Sequence, residues 1–159
     1  MRSVSKTIID PDVGKGFAYF RGSGVGELIH SAGVVIETDQ LKFVYCSGKT
    51  ATFDQGQDSK DRDTIVAPGD IKEQTRQVLR NLQTVLASAG ATIDDIVRMR
   101  VYVVQPFSKE MFGKVHEARA EFFKKEHYPA STLVVVHALA RPEALIEIDA
   151  DAVVVKTEG

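Results

Sequence analysis

The chain has 159 residues, about one domain's worth of protein, which excludes a multidomain machine. Lys and Arg total 20 against 22 Asp and Glu, a formal charge of −2, so there is no overall positive field for a polyanion and no nucleic-acid partner is expected. With 43% hydrophobic residues, 8 Phe and 4 Tyr but no Trp, the chain can bury roughly two thirds of its unfolded-state surface in a stable core.

No stretch approaches the roughly 20 apolar residues needed to cross a bilayer, and Met1-Arg2-Ser3-Val4-Ser5-Lys6 is followed by acids rather than an export segment. A soluble, cytoplasmic protein without a membrane partner is expected. The single cysteine, Cys46, lies in Phe43-Val44-Tyr45-Cys46, so an internal disulfide is impossible and a buried small hydrophobe is the expected role.

The first third reads as irregular, with Gly14, Gly16, Gly22, Gly24 and Gly26 interrupting Phe17, Tyr19 and Phe20. The run Gly22-Ser23-Gly24-Val25-Gly26 lacks the Lys-Ser/Thr closure of a phosphate-binding loop and reads as a flexible turn. Short strand-like stretches follow at 27–36 and 41–47, then a polar connection over 53–69 that allows either a lid or a surface excursion.

A helix is predicted from Asp70, with Glu73 at the reciprocal capping-box position and Gly90 as its end. Ile71, Val78, Leu82, Val85 and Ala89 recur at helical spacing, while Lys72, Arg76 and Arg80 are expected to face water. The β-branched run Ile96 to Val104 predicts a strand packed against a helix, stopped by Pro106. Ser108 caps a second predicted helix carrying Met111, Val115, Ala118 and Phe122 on one stripe, widened by Phe112 and Phe123. Tyr128-Pro129 leads to a strand at Leu133 to His137, Arg141-Pro142-Glu143 marks a turn, and a last strand runs from Leu145 to Val155. Two helices among several strands predict one α+β domain rather than a Rossmann repeat.

On that last strand Glu147, Asp149 and Asp151 project to one face, and Ile146, Ile148, Ala150 and Ala152 to the other. Periodicity alone describes a half-buried strand with a wet acidic face. Covered by a lid or a subunit, one carboxylate becomes available for proton transfer, with its proton affinity tuned by its neighbour. His30, His116, His127 and His137 lack zinc-site spacing, and no metal or cofactor is expected. His116, at the edge of the apolar stripe with Arg119 one turn on, can pack on the helix surface or enter a cleft between helix and sheet. Ser131 and Thr132 lack a nucleophile elbow and read as strand-start hydrogen-bonding groups.

Across approximately residues 27–155 the chain resembles the RidA/YjgF family of small enamine and imine deaminases. The stretches that carry this are Val44-Tyr45-Cys46-Ser47-Gly48-Lys49, Gln74, Asn81-Leu82 before Gly90, Phe122-Phe123, Pro129-Ala130-Ser131-Thr132 and Ile146-Glu147-Ile148-Asp149-Ala150. The resemblance implies a chorismate-mutase-like α+β protomer, a mainly antiparallel or mixed sheet covered by two helices, assembled as a homotrimer with clefts between subunits. Residues 1–26 then form a variable N-terminal extension to a single domain spanning 1–159. Glu147 matches the acidic residue that positions or activates water, and His116 falls where a ligand-facing Asn is common. Gly48 fits the loop beside the ligand, Lys49 replaces a common Gln, and His30 falls near an aromatic position. Ser131, next to Thr132, stands where family deaminases acting on amino-acid-derived imines commonly place an Arg for the substrate carboxylate, a geometry serine cannot supply. Lys49 or Arg98 is available for a differently placed anion. The activity implied is cofactor-free hydrolytic deamination of a small enamine or imine, an aminomuconate or another conjugated enamine fitting better than 2-aminoacrylate. The alternative is a noncatalytic metabolite-binding protein with the same intersubunit cleft, and a structural or chaperone-like role is weaker. No nuclease constellation is visible.

Overall fold

The computed structural model describes residues 3–10, 29–53 and 64–156. The glycine cluster at 22–26, and residues 54–63 of the polar connection, lie outside the described residues.

Among the described residues, six strands form one mixed sheet: β1 (Ser5–Ile9), β2 (Gly33–Glu37), β3 (Leu41–Lys49), β4 (Ile96–Val104), β5 (Ala130–Val136) and β6 (Ile146–Val155). Their order is β1-β2-β3-β6-β4-β5, antiparallel throughout except for the parallel pair β4 and β5. Two helices, α1 (Ile71–Ser88) and α2 (Lys109–Ala120), cover one face, α1 resting on β3 and β6 and packing against α2. The α+β expectation therefore holds. β1 is a departure from the irregular first third: Ser5 to Ile9 pair with Glu37 to Gly33, placing part of the 1–26 segment inside the sheet. Only Ile9 of β1 is buried, so five residues without an apolar alternation carried no periodic signal.

α1 begins where its cap predicts. The Asp70 carboxylate accepts from the backbone N–H groups of Lys72 and Glu73 at 3.0 and 3.1 Å. The reciprocal half of the capping box is absent: the Asp70 N–H donates to Ala67 O at 3.0 Å, and the Glu73 carboxylate instead pairs with Arg76. At the other end Gly90 takes φ +67°, and Lys42 of β3 donates to Ala89 O at 2.8 Å, placing a cation at the helix C-terminus. Lys72 and Arg76 are not simply solvated, since they pair with Glu117 and Glu121 and join α1 to the α2 segment at 2.7 and 2.5 Å.

Ser108 caps α2 through Met111 N–H at 3.1 Å. The helix stops at Ala120, so Phe122 and Phe123 lie in the following turn, with Phe123 buried. β5 starts three residues earlier than predicted, because the parallel ladder already pairs Ala130 with Arg98 and Ser131 with Met99. The core lies between sheet and helices. Val78, Leu79, Leu82, Val85 and Leu86 of α1 meet Val44, Met99, Val101, Ile146 and Ile148 of the sheet, each such side chain contributing about 1.5–3 kcal/mol of transfer free energy when fully buried.

Two buried amides tie the core to the loops. Gln74 donates to Glu143 O at 2.9 Å and accepts from Leu145 N–H at 2.8 Å, fixing the turn that enters β6. Asn81 donates to Thr50 O and Thr52 O at 3.0 and 2.9 Å and accepts from Gln77 at 2.9 Å, holding the chain just past β3. None of the helices among the described residues is long and apolar enough to cross a membrane.

Candidate functional site

The alternation of β6 is realised in full, with Ile146, Ile148, Ala150 and Ala152 buried under the helices and Glu147, Asp149 and Asp151 half-buried on the other face. That acidic face carries its own cation. Arg100 of β4, in register with Asp149, donates through Nε to Asp149 at 2.5 Å and grips Asp151 through both terminal nitrogens at 3.0 and 2.9 Å. The hydrogen bonds that Arg100 donates to Asp151 come first among the causes that hold its guanidinium above its ordinary proton affinity. Tyr102, in register with Glu147, sends its hydroxyl toward Asp149 at 3.4 Å.

Glu147 is left out of this arrangement and makes no ion pair with any described residue. Burial, and next the neighbouring Asp149 charge, raise its carboxyl above the ordinary 4.5. Beside it, past an irregularity in the β3 to β6 pairing between Cys46 and Lys49, runs Gly48. A methyl group on Gly48 would lie 3.0 Å from Glu147 Cδ and overlap Oε1, so the absent side chain provides the room that the carboxylate occupies. A half-buried carboxyl with raised proton affinity and no cation is suited to exchanging a proton with a ligand or orienting a water molecule.

The remaining candidates separate. Ser131 and Thr132 are adjacent on β5 and therefore face opposite sides of the sheet. Thr132 is in register with Arg100 and shares the Glu147 face, whereas Ser131 is in register with buried Met99. Ser131 lines a groove of about 610 Å³ between α2 and β5, together with His116, Arg119 and Tyr128. Its apolar walls are Phe112, Ala120, Phe123, Pro129 and Leu133. The His116 ring lies 4.3 Å from the Phe112 ring, centre to centre. Burial and then the Arg119 charge lower the proton affinity of His116, favouring neutral imidazole.

Lys49 is 2% exposed and in register with core Ile148 rather than with the acidic face, and burial pushes its ammonium down to about 8. His30 is exposed ahead of β2, and Arg98 is exposed on β4. Cys46 is buried as expected, its thiol pushed up to about 12 by that burial. Within one chain, then, the structure brings together Glu147 with Gly48, and His116 with Ser131, but sets the two groups on opposite faces of the sheet. Among the described residues no cluster of three or more His, Cys, Asp or Glu side chains could hold a metal ion.

Two groups went unassigned in the sequence. Arg100 escaped because its partners lie some 50 positions away on β6. Arg119 carried one usable signal, its spacing of three from His116, which puts both on one helix face.

The six-stranded α+β architecture with two helices on one face has counterparts among known proteins. The profile of the Endoribonuclease L-PSP family matches residues 29–154. The chain is 42% identical over 89 residues to a RutC family protein of Pyrococcus horikoshii, a match covering 55% of this chain and 65% of that protein. It thus spans just under two thirds of the length of that curated relative. Among solved structures, a member of the YjgF/YER057c/UK114 family from Mycobacterium tuberculosis superposes with a TM-score of 0.64 at 31% identity, covering 94% of this chain and 100% of that one. A Rid family protein from Yersinia pestis superposes with a TM-score of 0.67 at 28% identity, over 94% and 100% of the two chains. The chain belongs to the RidA/YjgF family.

Proposed function

We propose that this protein hydrolyses a small enamine or imine to a carbonyl compound and ammonia, in the cytoplasm, at clefts between the subunits of a homotrimer. The observation that carries the reading is Glu147: on a face where Arg100 neutralises both other acids of β6, its carboxyl has no ion-pair partner among the described residues, and its proton affinity is raised.

Chemically, protonation of the enamine at carbon gives an iminium ion. Water adds to the iminium carbon and loses a proton, and the resulting carbinolamine, once its nitrogen has been protonated, expels ammonia while its hydroxyl gives up a proton, leaving the carbonyl. Glu147 orients that water and exchanges these protons, while His116, neutral and a hydrogen-bonding group, positions the substrate. Gly48 keeps the approach to Glu147 open. Ser131, Thr132, Lys49 and His30 are proposed to contribute to ligand binding, Ser131 from the groove and Thr132 from the acidic face.

Glu147 and His116 cannot meet in one chain, since a sheet separates them. The reading therefore needs the groove of one copy to approach the acidic face of the next. Support comes from the edge strand β5, which exposes Val135 on the groove side, beside Tyr128 and Phe112 of the groove, and Val134 on the acidic side, so that large hydrophobic groups lie exposed on both surfaces that would meet. The groove's size and apolar walls favour a conjugated substrate of aminomuconate size over three-carbon 2-aminoacrylate.

Ammonia release from a panel of enamines and imines, muconate-derived and 2-aminoacrylate-derived, measured against buffer hydrolysis, tests the activity. Selective acceleration of the larger substrates is expected. Saturable binding without turnover across the panel would replace the enzyme by a metabolite-binding protein. Light-scattering mass over a dilution series tests the assembly, and a uniformly monomeric active species would sink the shared cleft.

A further inference from the structure

Within one chain, the groove between α2 and β5 contains a cation that has no counter-charge among the described residues. Arg119 projects from α2 into it, and the polar contact of its guanidinium is Nη2 to the Met99 thioether sulfur at 3.9 Å. It forms no ion pair with any described residue, and none of the groove's lining residues is acidic. The other partly buried arginines of α1 and β4 are paired, Arg76 with Glu73 and Glu121, and Arg100 with Asp149 and Asp151, whereas Arg80 and Arg98 are exposed to solvent. Burial lowers the proton affinity of Arg119, as expected of a partly desolvated cation. Keeping such a charge away from water costs free energy unless an anion completes it.

We propose that Arg119 is the anion-holding and specificity-determining residue of this groove, binding the carboxylate of a ligand whose apolar body lies between Phe112, Phe123 and Leu133. The geometry suits the assignment. A guanidinium presents two parallel N–H donors to a carboxylate, and the hydroxyls of Ser131 and Tyr128 line the same groove. His116, on the same helix face, supplies a neutral hydrogen-bonding group rather than a second cation. The charge thus comes from the helix wall, and the strand wall contributes the uncharged Ser131 and apolar Leu133. The inference rests on the reading of this groove as part of the deamination cleft, but equilibrium binding tests it without turnover.

The probes are benzoate and benzamide, alike in shape and different in charge, titrated into the intact protein by calorimetry and by the proton resonances of the His116 ring. The expected result is benzoate binding at least tenfold tighter than benzamide, with His116 resonances shifted by benzoate. Arg119→Gln should weaken benzoate at least tenfold and leave benzamide unchanged, and Arg119→Lys should retain part of the preference. The charge comparison on the unmodified protein stands even where a variant does not fold. Equal affinity for the two probes, no binding of either, or an Arg119→Gln protein that binds benzoate like the parent would overturn the proposal. A preserved benzoate preference in a protein that releases no ammonia from any enamine keeps Arg119 as the anchor and removes the deaminase reading alone.

Discussion

Gly48 lies so close to Glu147 that the Glu147 carboxylate occupies the space a β-carbon substituent at position 48 would need. The atoms that would have to yield are the far end of a flexible side chain rather than backbone, so Gly48→Ala should displace Glu147 at little cost to the fold. The expected outcome is a denaturation midpoint corresponding to less than about 1 kcal/mol of lost stability, with single-turnover ammonia release lowered at least tenfold. An alanine variant as active as the parent would show that the carboxylate position does not matter.

Glu147→Gln should retain assembly and most ligand affinity while lowering the single-turnover rate, because it keeps size and removes the exchangeable proton. It also has a signature in stability. Burial and Asp149 raise this carboxyl above 4.5, so just above that pH the folded chain holds a proton that the unfolded chain has released. Ionising it costs the parent stability as pH rises through the folded value, a loss the variant does not share. Denaturant titrations should therefore show the variant gaining on the parent as pH rises above 4.5. A constant difference would contradict the raised proton affinity. Loss of turnover in Asp149→Asn with Glu147→Gln unaffected would move the catalytic role to Asp149.

Arg100→Met removes the one guanidinium that neutralises Asp149 and Asp151, leaving three carboxylates on one strand face. Arg100 is partly exposed, which screens the effect, so a loss of about 1–2 kcal/mol at neutral pH is expected. The unpaired acids should in turn make Glu147 harder to ionise and move the acidic limb of the activity profile upward. Unchanged urea stability and an unchanged pH profile would mean that the cluster is decorative.

Lys49 offers the opposite sign from the usual lysine. Burial pushes it down to about 8 from 10.5, so across that window the unfolded chain holds a proton that the folded chain has lost. The parent should gain stability as pH rises through it, and Lys49→Met should not. The midpoint difference between variant and parent is expected to shift in the parent's favour from about pH 7 to about pH 10; a difference that does not change with pH would show an amine titrating normally.

Several elements were legible because their signals are local. Asp70 and Ser108 cap helices through N–H groups two or three residues away, the run Ile96 to Val104 is a strand over its whole predicted length, and the two-residue period of β6 assigns its faces without knowledge of its neighbours. The errors lie where nearby groups compete for the same partner or where the deciding partner is distant. Glu73 was expected to close a capping box, but Arg76 and Ala67 compete for the two groups involved. β1 exists because β2 offers an unpaired edge, and the start of β5 is set by its ladder with β4.

For the site, the sequence by itself determined that Glu147, Asp149 and Asp151 share one face, since a pleated strand allows nothing else. It also determined that His116 and Arg119 share a helix face. Only the tertiary structure decided which acid is unpaired, because that depends on the register that sets Arg100 opposite Asp149 rather than Glu147. Only it decided that Ser131 and Thr132 part company and that Lys49 sits in register with the core, because register and pairing irregularities turn neighbouring residues to different sides of a sheet. The charge in the groove followed the same rule: Arg119 and Ser131 are twelve positions apart, and it is the packing of α2 over the sheet edge that puts both in one groove.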